Sequence, residues 1–276
     1  MTVVDVVVRC RNEMPHVPRT LDAIARQVGV LPRVHFFDCG STDGSREVAQ
    51  DRGVRLLDVD PNTYRPGAVL NRAMNETTSE IIAFVNADAI ALDEDALASL
   101  LAPLVRDPSV AATFGRQVAR PRATSTVQLD YRRAFGAQEP VKLRRGHFFS
   151  MAASAVRRTT WEEVPFDEGL RFSEDVHWTK RVSEAGGSLR YASRARFEHS
   201  HDYSLRSDFM RRRGEGSADV AIYELERPSL VGDLVAPLVG AVLRDSMAGV
   251  LSPISVASRA AQATGYFVGR CGPASR

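Results

Sequence analysis

Two hydrophobic rhythms alternate along the first half of the chain. Val3, Val4, Val6, Val7 and Val8 form a nearly unbroken β-branched run, as in a parallel strand buried on both faces. Leu21, Ile24, Ala25 and Val28 then recur at helical spacing within residues 16 to 28. The exchange repeats. "RVHFFD" reads as a strand and "STDGSREVAQDRG" as a helix entered through capping residues and left at a glycine. "VRLLDV" is a third strand, "GAVLNRAMNETTS" a helix and "EIIAFVNAD" a fourth strand. "DEDALASLLAPLVRD" is an acid-started amphipathic helix, and "VAATFGRQ" a fifth strand.

The rhythm predicts an α/β fold: a mainly parallel, Rossmann-like sheet with helices on both faces. Ligands of such sheets bind at the carboxyl ends of the strands. The polar residues that end these strands are therefore the first candidates: Arg9 to Glu13, Asp38 to Asp43, and Asn86 to Asp88.

The second half is less regular. Residues 124 to 138 read as a helix and "GHFFSMAAS" as a short strand and turn. "SEDVHWTKRVSEAGG" is a helix, "SLRYAS" and "ARFEHSH" are two short strands, and "SLRSDFMRRRGEG" is a further helix. Near Arg227-Pro228 a charged sequence gives way to an apolar one. The expected organisation is one domain over residues 1–226 and a C-terminal helical extension over 227–276. That extension is broken by Asp233, Arg244, Asp245, Pro253 and Arg259, so it reads as packed helices, with peripheral membrane contact as the alternative.

The 276 residues are 44% hydrophobic and 25% charged, enough for a sizeable core. The formal net charge of +2 points to no nucleic-acid partner. Arginine pairs at Arg132-Arg133, Arg144-Arg145 and Arg157-Arg158, and the run Arg211-Arg212-Arg213, read mostly as solvated faces. Cys10, Cys39 and Cys271 make no even framework and no CxxC, which suits a reducing compartment. The expected location is cytoplasmic, with the inner face of a membrane as a peripheral site. The oligomeric state is not legible.

Each candidate has a structural and a chemical reading. Asp38 precedes "CGSTDGS", a turn that caps a helix or faces a phosphate. Asn86 and Asp88 stand at an i, i+2 spacing, so in an extended segment both point one way. They hold Mg²⁺ or Mn²⁺, or Asp88 caps the next turn. Glu174 and Asp175 open a helix, where acids favour the dipole or where one serves as a general base. His199 and His201 form an H-x-H pair, either surface residues or metal ligands. His16, His35, His147 and His177 form no ligand-like cluster with them.

In order, "VVVRCRNE", "DCGSTDGS", "YRPGAVLN", "FVNAD", "FGRQ", "FFSMAASAVRR", "PFDEGLRFSEDVHW", "AGG" and "EHSHDYSL" cover about residues 3 to 215. This order resembles the family 2 glycosyltransferases of GT-A fold, in their bacterial rhamnosyltransferase-like branch. The resemblance implies an inverting transfer from a nucleotide-diphosphate sugar to an acceptor hydroxyl, with a divalent cation. Arg9, Asn12, Glu13, Asp38, Gly67 and Asn71 match the nucleotide-sugar site, and Asn86, Ala87 and Asp88 match the D-x-D position. Asp175 matches the catalytic base, beside Glu174. His199, or else His201, matches the late metal-ligating histidine, and Arg212 or Arg213 the residue that reaches the diphosphate. The branch points to deoxythymidine-diphosphate-rhamnose as donor. The acceptor is a saccharide, a lipid-linked sugar or a small molecule.

Asn86 replaces the first acid of D-x-D, Cys39 an aspartate or serine, and Met151 an asparagine near the acceptor. A non-catalytic nucleotide-sugar or glycan-binding module is the alternative. A nucleotidyltransferase is disfavoured, because strand one is not followed by a G-x-G-T-R-like loop.

Overall fold

The computed structural model describes residues 2–137 and 148–272. Arg144, Arg145 and His147 lie outside the described residues, as does the last residue of the helix expected over 124 to 138.

The alternating pattern folds as eight strands in one sheet, interleaved with ten α-helices among the described residues. The strands are β1 (Thr2–Cys10), β2 (Val30–Asp38), β3 (Arg55–Asp58), β4 (Ile81–Asn86), β5 (Ile90–Ala91), β6 (Val110–Val118), β7 (Ala153–Arg157) and β8 (Ser188–Glu198). Their spatial order is β3-β2-β1-β4-β7-β6-β8-β5. The pairs β3-β2, β2-β1, β1-β4 and β6-β8 are parallel, whereas β7 runs antiparallel between β4 and β6. Alternation along β1 sends Val6 and Val8 to one face and Val7 to the other. The first face packs on α1 (His16–Ala25), α2 (Ser45–Asp51) and α4 (Ala96–Arg106) through Leu21, Ala49 and Leu100. The second packs on α3 (Pro66–Glu76) and on α7 (Glu174–Glu184) through Leu70 and Trp178.

Several expectations are corrected. The strand foreseen in "GHFFSMAAS" starts only at Ala153, the residue paired with Val85. The two short strands foreseen after residue 187 are one, β8, with a register jump beside Gly115/Arg116. Arg157 and Arg158 are not a solvated face. Arg157 donates to the carbonyls of Val110 (3.1 Å) and Leu104 (2.6 Å), and Arg158 to those of Met74 (2.7 Å) and Ser79 (3.0 Å). Each guanidinium satisfies carbonyls that helix and loop ends leave open.

The chain divides into two compact units. The sheet lies in the first, made of 1–120, 131–168 and 175–200. The second comprises 121–130, 169–174 and 201–276. It contains α8 (Leu205–Tyr223), a π-helical turn (Leu230–Val235), α9 (Ala236–Met247) and α10 (Pro253–Cys271). The composition change near Arg227-Pro228 falls inside this unit, because α8 and α10 meet backbone to backbone. A Cβ on Gly216 would sit 2.3 Å from the Tyr266 carbonyl oxygen, and one on Gly269 2.1 Å from that of Arg213. Only glycine permits that approach. Arg259 binds Asp245 (2.9 Å) and Asp130 (2.6 Å) in the same unit. The remaining helices, α5 (Ser125–Ala134) and α6 (Arg158–Glu163), are short.

Candidate active site

Parallel pairing aligns the ends of β1, β2 and β4: Cys10 lies opposite Asp38, and Arg9 opposite Asn86. The three polar strand ends picked from sequence thus share one edge of the sheet. Arg9 donates to the Asn86 side-chain oxygen at 3.3 Å. Asp38 is buried; it accepts the Ser41 N–H (3.2 Å), and the Arg46 guanidinium stands 3.6 Å away.

The loops after β1 and β2 are zipped together by side chains. Asn12 adopts a left-handed backbone (φ 57°), accepts the Thr42 N–H at 2.7 Å and donates its own N–H to Ser41 Oγ at 3.0 Å. Glu13 N–H donates to Ser45 Oγ (3.1 Å), and Met14 N–H to Asp43 (2.8 Å). A left-handed non-glycine residue stores strain, and such strain gathers at sites. Burial, and then the nearby Asp88 carboxylate, push the Glu13 carboxyl up to about 7.

Asp88 is buried just beyond β4. Arg120 donates to its Oδ2 at 3.0 Å and to its backbone oxygen at 2.8 Å. The same guanidinium donates to the Ser200 carbonyl, and the Arg120 N–H to Ser200 Oγ (3.0 Å). Asp88 Oδ1 faces His199 Nε2 across 3.5 Å. On the far side of the ring, His199 Nδ1 lies 2.7 Å from Gln117 Oε1. The Gln117 amide nitrogen donates to Ser150 Oγ at 2.6 Å, so its oxygen is the atom that meets the imidazole. Nδ1 therefore carries a proton, and Nε2 is the ring nitrogen that faces Asp88.

A carboxylate oxygen and an imidazole nitrogen at this separation suit neighbouring ligands at ~2.1 Å from one divalent ion. The residues fit the group. Asp88, His199 and His201 are of ligand type, and His201 follows His199 by two positions in the chain. Ala87 contributes backbone only: its N–H donates to Arg9 (3.0 Å), and its carbonyl accepts from Thr20 (2.7 Å).

Gly67 and Asn71 sit on α3 and serve the 161–168 segment. A Cβ on Gly67 would lie 2.0 Å from the Asp167 carbonyl oxygen. Asn71 accepts from Trp161 Nε1 (2.9 Å) and the Phe166 N–H (3.0 Å), and donates to the Phe166 carbonyl (3.0 Å) and Glu168 (2.8 Å). Asp175 opens α7, two residues after Ser173, which is left-handed (φ 60°). Its Oδ2 accepts the Met151 N–H at 3.2 Å and its Oδ1 the Val176 N–H at 2.8 Å, which aims the carboxylate. Glu174 precedes it at intermediate exposure. In the second unit, Arg212 binds Glu215 and lies over the Tyr266 ring at 4.8 Å; Arg213 is exposed on the same helix.

Arg120, Gln117 and Ser200 were not singled out from sequence. Gln117 stands in the quoted "FGRQ", and as the penultimate residue of a strand that ends near the site it carried a usable signal. Arg120 carried none.

Comparison with known proteins shows the family and the fold. A model of the family described as "Glycosyl transferase family 2" matches residues 5–164. The O-antigen chain rhamnosyltransferase RfbN of Salmonella typhimurium is 29% identical over 205 residues, 70% of this chain and 65% of that protein. WbaN of Salmonella anatum, also an O-antigen chain rhamnosyltransferase, is 28% identical over 203 residues, 68% of this chain and 63% of that protein. The chain thus spans just under two thirds of the length of the curated relatives it matches. Among solved structures, the mannosyltransferase PcManGT from Pyrobaculum calidifontis, in complex with GDP-Man and Mn²⁺, superposes with a TM-score of 0.62 at 21% identity, over 97% of this chain and 85% of that one. Glucosyl-3-phosphoglycerate synthase from Mycobacterium tuberculosis, with Mn²⁺, UDP and phosphoglyceric acid, gives 0.59 at 19% identity, over 80% of this chain and 78% of that one. The fold is the expected GT-A arrangement.

Proposed function

This chain belongs to glycosyl transferase family 2, and on that premise we propose that it transfers a sugar, with inversion, from a nucleotide-diphosphate sugar to an acceptor hydroxyl. The observation that carries the reading is the facing pair of Asp88 and His199, with Gln117 holding the histidine in the ligating tautomer. Arg9, Asn12, Glu13 and Asp38 border the same sheet edge and form the nucleotide side of the site. The two rhamnosyltransferase relatives support deoxythymidine-diphosphate-rhamnose as donor and a saccharide as acceptor.

Asp175 is the general base. Its carboxylate takes the acceptor proton as the acceptor oxygen attacks the anomeric carbon and the bond to the leaving diphosphate breaks. The two backbone N–H groups that hold its oxygens fix its direction before substrate arrives. A divalent cation, Mn²⁺ or Mg²⁺, held by Asp88 and His199 with His201 as third ligand, would supply positive charge for the leaving group. Arg212 or Arg213 is the further cation proposed for the diphosphate.

Asp175→Asn lowers turnover about 10²- to 10⁴-fold with donor affinity retained. Full turnover in that variant removes the base from the mechanism. Donor class is read by thermal shift with a panel of nucleoside diphosphates, with and without Mn²⁺; binding to the native state raises the midpoint by mass action. A second reading has its own support. Asn86 gives its side-chain oxygen to Arg9, which suits a binding module that holds the diphosphate without metal. A shift that ignores Mn²⁺, with no transfer, favours it.

A further inference from the structure

The last helices carry a surface that the transfer reaction does not use. Val231, Val235, Val239, Leu243 and Met247 recur every fourth residue through the π-helical turn and α9, and all are exposed. The exposure is large: 67% at Val231, 57% at Leu243 and 89% at Met247. Leu251, before α10, and Ile254, in its first turn, are exposed as well. Scattered exposed apolar residues are ordinary, but a continuous run marks an interaction surface.

The charges around it narrow the occupant. Between Ser229 and Gly272 the chain has two carboxylates, Asp233 and Asp245. Both turn inward: Asp245 is buried against Arg259 at 2.9 Å, and Asp233 pairs with Arg270. Arg259 and Arg270 are themselves mostly buried. Arg244 is the exposed charged residue of this span. The face is thus aliphatic with Arg244 at its edge, and both acids of this span are paired inside the unit; the exposed Glu224 and Glu226 lie before it in the chain. Protein interfaces concentrate aromatic anchors within a polar rim; this stripe has no aromatic residue. No helix among the described residues is long and apolar enough to cross a membrane.

We propose that the stripe from Val231 to Ile254 is a docking face for an anionic phospholipid bilayer, on which the chain lies without spanning it. The aliphatic side chains enter the boundary between headgroups and acyl chains, and Arg244 meets lipid phosphate. This does not depend on the proposed sugar transfer.

Co-sedimentation of the full chain with sucrose-loaded vesicles tests it. Phosphatidylcholine vesicles are compared with vesicles containing a third phosphatidylglycerol. Binding is expected to the anionic vesicles, at least tenfold weaker to the neutral ones. The triple variant Val239→Ser, Leu243→Ser, Met247→Ser is expected to lose binding at least tenfold, with its melting temperature retained because all three side chains are exposed. Arg244→Glu is expected to lose several-fold on anionic vesicles only, and that charge effect fades in 0.5 M salt as screening tightens. Two results overturn the proposal. One is a wild-type chain that stays in the supernatant with both vesicle types. The other is a stable dimer by light scattering that the triple variant dissolves, since the face would then be covered by a second copy.

Discussion

The first unit contains two clusters of one aspartate, one arginine and one histidine, at opposite ends of the parallel strands. At the amino end, Asp5 meets Arg33 and His35; at the carboxyl end, Asp88 meets Arg120 and His199. The residue types match, but the bonding does not. Asp5 takes two bonds from Arg33 (2.5 and 2.9 Å), backbone N–H groups from Thr78 and Ser79 (2.8 Å each), and His35 at 2.7 Å. Those bonds fill its acceptor capacity. Asp88 accepts from Arg120 at Oδ2, and its Oδ1 meets His199 Nε2 across 3.5 Å, longer than any of the Asp5 contacts. The first cluster has the bonding of scaffold; the second holds the residues proposed above to take a ligand. The composition of a charged cluster does not separate the two roles.

The contrast breaks first at Asp5. Asp5→Ala removes the buried acceptor of two backbone N–H groups and of His35, so chemical denaturation should show a loss of about 2–4 kcal/mol. Burial alone would raise the Asp5 pKa, but Arg33, the Thr78 and Ser79 N–H groups and His35 outweigh it and hold it well below the usual carboxylate range. A depressed acid contributes stability above its unfolded value of about 3.9, and loses it as pH falls through the folded one. The wild-type advantage over Asp5→Ala should therefore be full at neutral pH and shrink in strong acid. A constant gap down to pH 2 contradicts the assignment.

Asp88→Asn should do the opposite. It keeps a hydrogen-bonding side chain beside Arg120, so the melting temperature should move little while turnover falls about 10²- to 10³-fold. If it melts as early as Asp5→Ala, both clusters are scaffold. A smaller effect is expected one bond further out. Gln117→Met removes the acceptor that fixes the His199 tautomer, and Mn²⁺ affinity, read by electron paramagnetic resonance with a nucleoside diphosphate present, should weaken about 10- to 100-fold. Unchanged affinity would detach Gln117 from the site.

The smallest effect is at Glu13. Its folded pKa of about 7 lies above the ordinary glutamate value, so the unfolded chain releases that proton first. Stability should fall as pH rises from about 4.3 toward 7 in the wild type relative to Glu13→Gln, then run parallel. Thermal melts of both across that range decide it, and parallel curves throughout would show an ordinary glutamate.

The strand ends were legible because a buried parallel strand leaves a mark, an apolar run that stops at polar residues. Asp38, Asn86 and Asp88 were found that way, and Asp175 through its place in the family order. Arg120 was not legible. Its partner Asp88 lies 32 residues earlier, and nothing in "VARPRA" separates it from Arg122. Arg157 and Arg158 misled, since adjacent arginines read as surface until the carbonyls they satisfy are seen. Asn71 read as a residue beside the nucleotide; its four bonds to the 161–168 segment depend on chain 90 to 97 positions away.

The glycine contacts between α8 and α10 bear on how this chain can be cut. Composition invites a truncation near Arg227, which would remove α10. Gly216 would then face water where the Tyr266 backbone had been, and the Arg213 carbonyl would lose its cover. A shortened protein would lose the partner that keeps α8 in place, so a usable fragment has to keep everything through Gly269.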